Sequence, residues 1–115
     1  MDQKRLAEKL EEIKQQFLIT LKEELQLFLE SRDVIKPTKA IAEDILKEIT
    51  FAAHKISGSS RIFSFEKLGV IAKELELHTA MMLEESSTKH NDKLLELVNN
   101  IINEIEHIIE NSLSA

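Results

Sequence analysis

One histidine of this chain has a glycine four residues after it, in the segment AHKISGSS at residues 53–60. A neutral imidazole nitrogen is a competent nucleophile near pH 7, because its unperturbed pKa is about 6.5. A glycine within a helical pattern costs on the order of 1 kcal/mol relative to alanine, which indicates that a missing side chain is useful there. We therefore expect Gly58 to leave the ring of His54 open to a reaction partner.

The helical pattern around His54 places this residue on the outer face of its helix. Gly58 and Arg61, at i+4 and i+7, share that face. Helical side chains lean toward the N-terminus, so a large residue at position 58 would lie over the patch beside the imidazole. Lys55 and Arg61 supply cations that could hold an anion. The opposite face, within about a third of the helical wheel, is apolar: Ile41, Ile45, Ile49, Ala52, Ala53 and Ile56.

Four amphipathic helices account for most of the chain, and their periodicity covers about residues 4–31, 38–54, 65–84 and 91–111. Residues 57–60 look locally like a turn, since serine and glycine are poor helix formers. Pro37 suits a helix start, and Thr38 is the expected N-cap of the second helix. Short connections between amphipathic helices predict an all-α protein, an antiparallel up-down-up-down four-helix bundle. The first helix carries an apolar stripe that the other three should bury, with its first turns overhanging the bundle: Leu6, Leu10, Ile13, Phe17, Leu21, Leu25 and Phe28.

Composition limits the functions that the chain can have. Its 115 residues indicate one domain, residues 1–115, and two glycines with one proline leave few strand or turn signals. The absence of cysteine excludes disulfides and thiolate chemistry. A net charge of −6 disfavours nucleic acid as a partner, and no apolar run is long enough to span a membrane. The N-terminus lacks the apolar block of a secretory signal, so we expect a cytoplasmic protein.

The other histidines are expected to be ordinary polar positions. Glu104 and His107 form Glu-x-x-His, which is half of a di-iron motif. No other histidine has a glutamate three residues before it, so we predict no metal site. Phe51, one turn before His54, falls toward the outer face, where it either packs at the edge of the core or offers an apolar contact to a docking partner.

The segment AHKISGSS, followed by Phe63-Ser64-Phe65 and by a helix that reaches Leu75-Glu76, resembles the core motif of histidine-containing phosphotransfer (HPt) domains. The FLITLKEEL segment at residues 17–25 is similar to the entry of single-domain members. The resemblance also implies that the second helix continues to about Ile62 and covers residues 38–62. Two positions differ from the usual pattern of the family. Ser57 stands where many members have lysine, and Ser64 stands where glycine is common near the turn.

The resemblance implies a phosphorelay intermediate that carries a phosphoryl group on His54. The group would pass between receiver-domain aspartates of a hybrid sensor histidine kinase and a response regulator. Gly58, Lys55, Ser57 and Arg61 would form the access gap and the surroundings of the phosphoryl group. No cofactor is expected in the chain itself, because the partner receiver domain would supply Mg²⁺. Such a protein is a carrier without catalytic activity of its own.

Two alternatives remain open at the level of the sequence. The first is a helical-bundle regulator that binds a receiver or kinase domain without being phosphorylated. The second is a structural helical module that oligomerises through its first helix. We prefer packing of that helix within one chain, and therefore a monomer.

Overall fold

The computed structural model of the protein describes residues 3–85 and 87–114, and every regular element there is a helix. The long helices are α1 (Gln3–Val34), α2 (Glu43–Ile62), α3 (Glu66–Glu84) and α4 (Asn91–Ser114), with one 3₁₀ turn at Thr88–His90. Each helix packs beside the next, and α4 closes the bundle against α1. The all-α four-helix bundle predicted from the sequence is confirmed.

Contacts between neighbouring helices show that they run antiparallel. Between α1 and α2, Phe17 stacks on Phe63, while Glu24 contacts Lys55 closer to the start of α2. The core between the helices consists of the apolar positions that recur every three or four residues. Its fully buried large side chains are Leu21, Phe28, Ile49, Ile56, Leu68, Leu75, Leu94, Leu97, Val98, Ile101, Ile102 and Ile105.

Helix α1 is longer than the bundle that it joins. Its 32 residues span about 48 Å at 1.5 Å per residue, and the molecule measures 56 Å along its longest axis. The apolar stripe is buried at Phe17, Leu21 and Phe28, but Leu6 and Leu10 remain about half exposed. The predicted overhang of the first turns is confirmed. The prediction that the other three helices bury the apolar stripe is wrong for its first turns.

The predicted start of the second helix at Thr38 is also wrong, because α2 begins at Glu43. The amide of Lys39 donates to the carbonyl of Lys36 across a turn that contains Pro37, a residue favoured at the second turn position. The buried side chain of Asn91 donates to the carbonyls of Lys36 and Lys39 and holds this turn against α4. These contacts from a distant residue keep the chain out of the helix.

The end of α2 at Ile62 agrees with the prediction, despite the serine and glycine residues before it. Ser60 is fully buried, its hydroxyl donates to the Ile56 carbonyl, and a Cβ placed on Gly69 would lie 3.5 Å from the Ser60 Cβ. Small residues therefore let α2 and α3 approach closely. The turn that follows places Ser64 at φ 61°, a conformation that glycine adopts without steric cost.

No helix in residues 3–85 and 87–114 is both long and apolar enough to cross a membrane.

Candidate functional site

His54 lies in the middle of α2 and directs its ring outward. Its side chain is 69% exposed, as the helical wheel predicted. A Cβ placed on Gly58, one turn later, would meet no atom within 4 Å. The surface beside the imidazole is therefore open to a partner molecule, and adding a side chain at position 58 would fill that opening.

A carboxylate from α3 holds the inner nitrogen of the ring. The Nδ1 atom of His54 lies 2.8 Å from Oε2 of Glu76, whose side chain is only 16% exposed. An ionised carboxylate only accepts hydrogen bonds, so Nδ1 carries the proton and Nε2 carries the lone pair. The contact thus selects the tautomer whose nucleophilic nitrogen points away from the protein.

The second carboxylate oxygen of Glu76, Oε1, has a charged neighbour on α3. Oε1 is buried and accepts no hydrogen bond, but it lies 3.5 Å from Nζ of Lys73. The ammonium is within ion-pair distance without hydrogen-bonding geometry. Lys73 therefore adds a positive charge beside the carboxylate that contacts His54.

A hydroxyl pair fixes the register of α2 against α3 one turn from this contact. Thr50 Oγ1 and Thr79 Oγ1 lie 2.6 Å apart, so one hydroxyl donates to the other, and the accepting hydroxyl donates to a carbonyl of its own helix. Thr50 precedes His54 by four residues, and Thr79 follows Glu76 by three. The small residues farther along, Ser60 and Gly69, continue the same register. This alignment brings Glu76 opposite His54.

The two cations expected beside His54 have different surroundings. Nζ of Lys55 contacts Oε1 of Glu24 on α1 at 2.7 Å and lies 4.9 Å from the centre of the Phe51 ring. Lys55 is therefore directed toward α1 and Phe51. Arg61 is exposed and forms no ion pair within the described part of the chain. Of the two, Arg61 is the cation that remains available to an incoming anion.

The structure corrects the expected placement of Ser57. Its side chain is only 7% exposed. It lies seven residues after Thr50, on the helix face that contacts α3, and its own carbonyl approaches Gly69. The hydroxyl of Ser57 is therefore not part of the open surface beside His54, because the close approach of α3 covers it.

Phe51 is an exposed side chain, so it is not packed in the core, and its role as an apolar contact for a partner stays a prediction. It is 64% exposed. Val70 and Leu77 are similarly exposed on the outer face of α3, on the same stripe as Lys73. We call these three residues, Phe51, Val70 and Leu77, the apolar rim. The rim lies on the two helices that position His54 and Glu76.

Sequence reasoning missed Glu76 as a functional residue, along with Val70 and Leu77. Glu76 was noted only as the end of a motif, and its distance of 22 residues from His54 gives no local signal. An antiparallel register between the second and third helices, counted back from the turn at Ser64, would have placed it opposite the histidine.

The remaining histidines lie elsewhere. His78 and His90 contact each other edge to face near the α3–α4 connection, and His107 is exposed on α4. Within residues 3–85 and 87–114, no group of three histidine, aspartate or glutamate side chains is arranged to hold a metal ion.

These features together define a helical-bundle protein with a solvent-facing nucleophilic histidine and an open approach to it. A comparison with family models gives the narrower assignment, since the model of the Hpt domain matches residues 5–111. The chain belongs to the Hpt domain family, and it therefore has a phosphotransfer role in two-component signalling, in which it interacts with receiver and kinase domains. No curated protein and no solved structure matched the chain.

Proposed function

We propose that His54 accepts a phosphoryl group from a receiver-domain aspartate of a hybrid sensor histidine kinase and passes it to the receiver domain of a response regulator. The observation that carries this proposal is the ring of His54, held at Nδ1 by Glu76 and exposed at its other edge beside Gly58. An exposed nitrogen with a fixed lone pair is what in-line attack on phosphorus requires.

In the proposed transfer, the Nε2 lone pair of His54 attacks the phosphorus of an aspartyl phosphate. An N–P bond forms, the P–O bond to the aspartate breaks, and the aspartate leaves as a free carboxylate. The imidazole becomes cationic because Nδ1 keeps its proton. Glu76 stabilises that charge through the contact already present at 2.8 Å. Transfer to the second receiver is the same reaction in reverse.

The chain supplies the nucleophile, and the partner supplies most of the charge stabilisation. We propose that the receiver domain brings Mg²⁺, the aspartate and a lysine to the transferring group. Arg61, exposed two turns after His54, adds a cation from this side. The protein would then act as a carrier without catalytic activity of its own.

The apolar rim is the proposed docking surface for the receiver domain. Exposed aromatic and aliphatic side chains around a polar centre are typical of interface hot spots. Phe51 and Leu77 are each more than half exposed. Because they are carried by the same two helices as His54 and Glu76, docking on them would align the phosphoryl donor with the ring.

We also propose that the chain acts as a monomer in the cytoplasm. Burial of α1 against the other helices from Phe17 onward supports the proposal of a monomer. Sizing at several concentrations tests the monomer. If the chain instead oligomerises through the exposed stripe from Leu6 to Ile13, larger species should appear as the concentration rises.

The direct test is incubation with receiver domains that carry labelled aspartyl phosphate. We expect label on this chain that is labile in acid and stable in base, and peptide mapping should place it on His54. His107→Gln is the matched control, because it removes an exposed histidine on α4 and should keep full acceptance. A receiver that binds the wild-type chain without any transfer would replace this proposal with the non-phosphorylated regulator.

A further inference from the structure

Glu104 on α4 is a buried carboxylate without a partner in the described residues. Its side chain is only 8% exposed, its Oε2 atom accepts no hydrogen bond, and no lysine, arginine or histidine of that part of the chain lies within ion-pair distance. Burial of a carboxylate is costly unless the charge is paired or hydrogen-bonded. A carboxylate in this state is suited to a positively charged group from outside the chain.

Glu104 lies at the junction of two adjoining clefts between α3 and α4, with volumes of about 520 and 420 Å³. These volumes fall within the range of small-molecule sites. The larger cleft has an apolar wall that includes Phe65 and Ile108. The smaller one has the amide side chains of Asn100 and Asn103. The junction therefore combines one buried negative charge with an apolar surface and neutral polar groups.

Several charged or titratable side chains line the clefts together with Glu104. His107 lines both clefts, but its Nε2 already contacts the Asn111 amide at 3.0 Å. Glu66 also lines the larger cleft, but no group of three histidine, aspartate or glutamate side chains in the described residues is arranged to hold a metal ion. Lys67 also lines both clefts, but it is exposed. Lys14 lines the larger cleft, where its Nζ lies 5.9 Å from the centre of the Phe65 ring, and neither lysine forms an ion pair with Glu104.

We propose that this cleft binds a small organic cation, with an ammonium or amidinium group on an apolar body. The cation would contact the carboxylate of Glu104, and the apolar body would pack on the partly exposed ring of Phe65. An amidinium offers two N–H donors and could contact both carboxylate oxygens. His54, Gly58 and Glu76 line neither cleft, so this site is separate from the proposed phosphotransfer site.

The test compares benzamidine with benzamide, its neutral analogue of nearly the same shape, by two-dimensional NMR titration of the labelled chain. Benzamidine should cause saturable shifts at Phe65, Lys67 and Asn103, and benzamide should bind at least about tenfold more weakly. Equal affinities, or no saturation below about 10 mM benzamidine, would overturn the proposal.

Variants of the chain test the role of the carboxylate. Glu104→Gln keeps the shape of the side chain and should weaken benzamidine binding at least about tenfold, the loss expected for an unmade charged hydrogen bond. Glu106→Gln, at an exposed position on the same helix, should bind benzamidine as the wild type does. Retained affinity in folded Glu104→Gln would refute the assignment. If that variant does not fold, the comparison of the two probes on the wild-type chain still decides.

Discussion

His54–Glu76 and His90–Glu85 bring the same two side-chain types together with opposite exposure. In the first contact the ring is 69% exposed and the carboxylate 16%. In the second the ring is 24% exposed and the carboxylate 49%. The first spans two long helices, while the second lies beside the connection between α3 and α4, where the His90 carbonyl also contacts Nε2 of His78 at 3.1 Å.

This difference in exposure separates a reactive arrangement from a structural one. At His54, the partly buried carboxylate fixes the ring and leaves its second nitrogen outside. At His90, Nε2 is buried and lies 3.4 Å from Glu85 without hydrogen-bonding geometry, so the ring has no accessible nucleophile there. The ring of His90 instead packs edge to face on His78 and stabilises the connection. The pairing of histidine with glutamate is thus not a functional signal by itself.

The largest expected effect comes from removing the exposed ring. His54→Gln should abolish phosphoryl acceptance and leave the melting temperature nearly unchanged, because the ring lies outside the core. His90→Ala should do the opposite, with full acceptance and a loss of about 1 kcal/mol in the free energy of unfolding. Labelled transfer and thermal unfolding measure both. Unfolding of His54→Gln would show that the two histidines are both structural.

A large side chain at position 58 should block the approach to the ring. Gly58→Leu should slow acceptance by about 100-fold through misplacement of the phosphoryl donor, while raising helix stability because leucine has the better propensity. Gly69→Leu should instead lower stability, since its side chain would press on Ser60 where α2 and α3 approach closely. Acceptance at the wild-type rate by Gly58→Leu would contradict our account of the open surface.

Removing the charge of Glu76 should slow phosphoryl acceptance by His54 without abolishing it. Glu76→Gln should slow acceptance about tenfold, because the cationic phosphohistidine loses a charged hydrogen bond. Glu85→Gln should leave the rate of acceptance unchanged. If Glu76→Gln accepts the phosphoryl group at the wild-type rate, the Glu76 carboxylate does not contribute to acceptance. It would then not distinguish the His54–Glu76 contact from the His90–Glu85 contact.

The two cations near His54 should differ, although sequence reasoning grouped them together. Arg61→Ala should slow acceptance by up to about fivefold, the limit for an exposed charge contact of about 1 kcal/mol. Lys55→Ala should have a smaller effect on acceptance, because its ammonium is already within 2.7 Å of Glu24. Rates measured at low and high salt check this, since only an effect of charge is screened. Equal effects of the two substitutions would contradict the ranking.

The smallest expected effect is a pH dependence of the folding stability, which arises from Glu85 in the His90–Glu85 contact. A hydrogen bond from Lys89, and then its charge, hold the pKa of Glu85 below its ordinary value, with a further contribution from His90. A lowered pKa in the folded state stabilises the fold above the pKa of the unfolded chain, and this stabilisation is lost as pH falls through the folded value. The melting temperature of Glu85→Gln should therefore lie slightly below that of the wild type at neutral pH. The gap should close in acid, and a gap that persists there would exclude this origin.

Local features of the sequence were sufficient for the fold and for half of the site. Apolar residues every three or four positions predict four helices, and the exposure of His54 follows from the same periodicity. Gly58 was recognised as an opening because glycine is costly inside a helix. The extension of α2 to Ile62 relied on the family resemblance, since residues 57–60 have poor helix propensity on their own.

The tertiary structure decided the features that depend on how one helix meets another. Glu76 reaches His54 because Thr50–Thr79 and the small residues Ser60 and Gly69 fix the register of α2 against α3. The same close approach covers Ser57, and Glu24 on α1 takes the charge of Lys55. Periodicity shows which face of a helix is buried, because that depends only on residues within a few turns. It does not show which residue of another helix lies opposite, because packing across the whole interface sets that alignment.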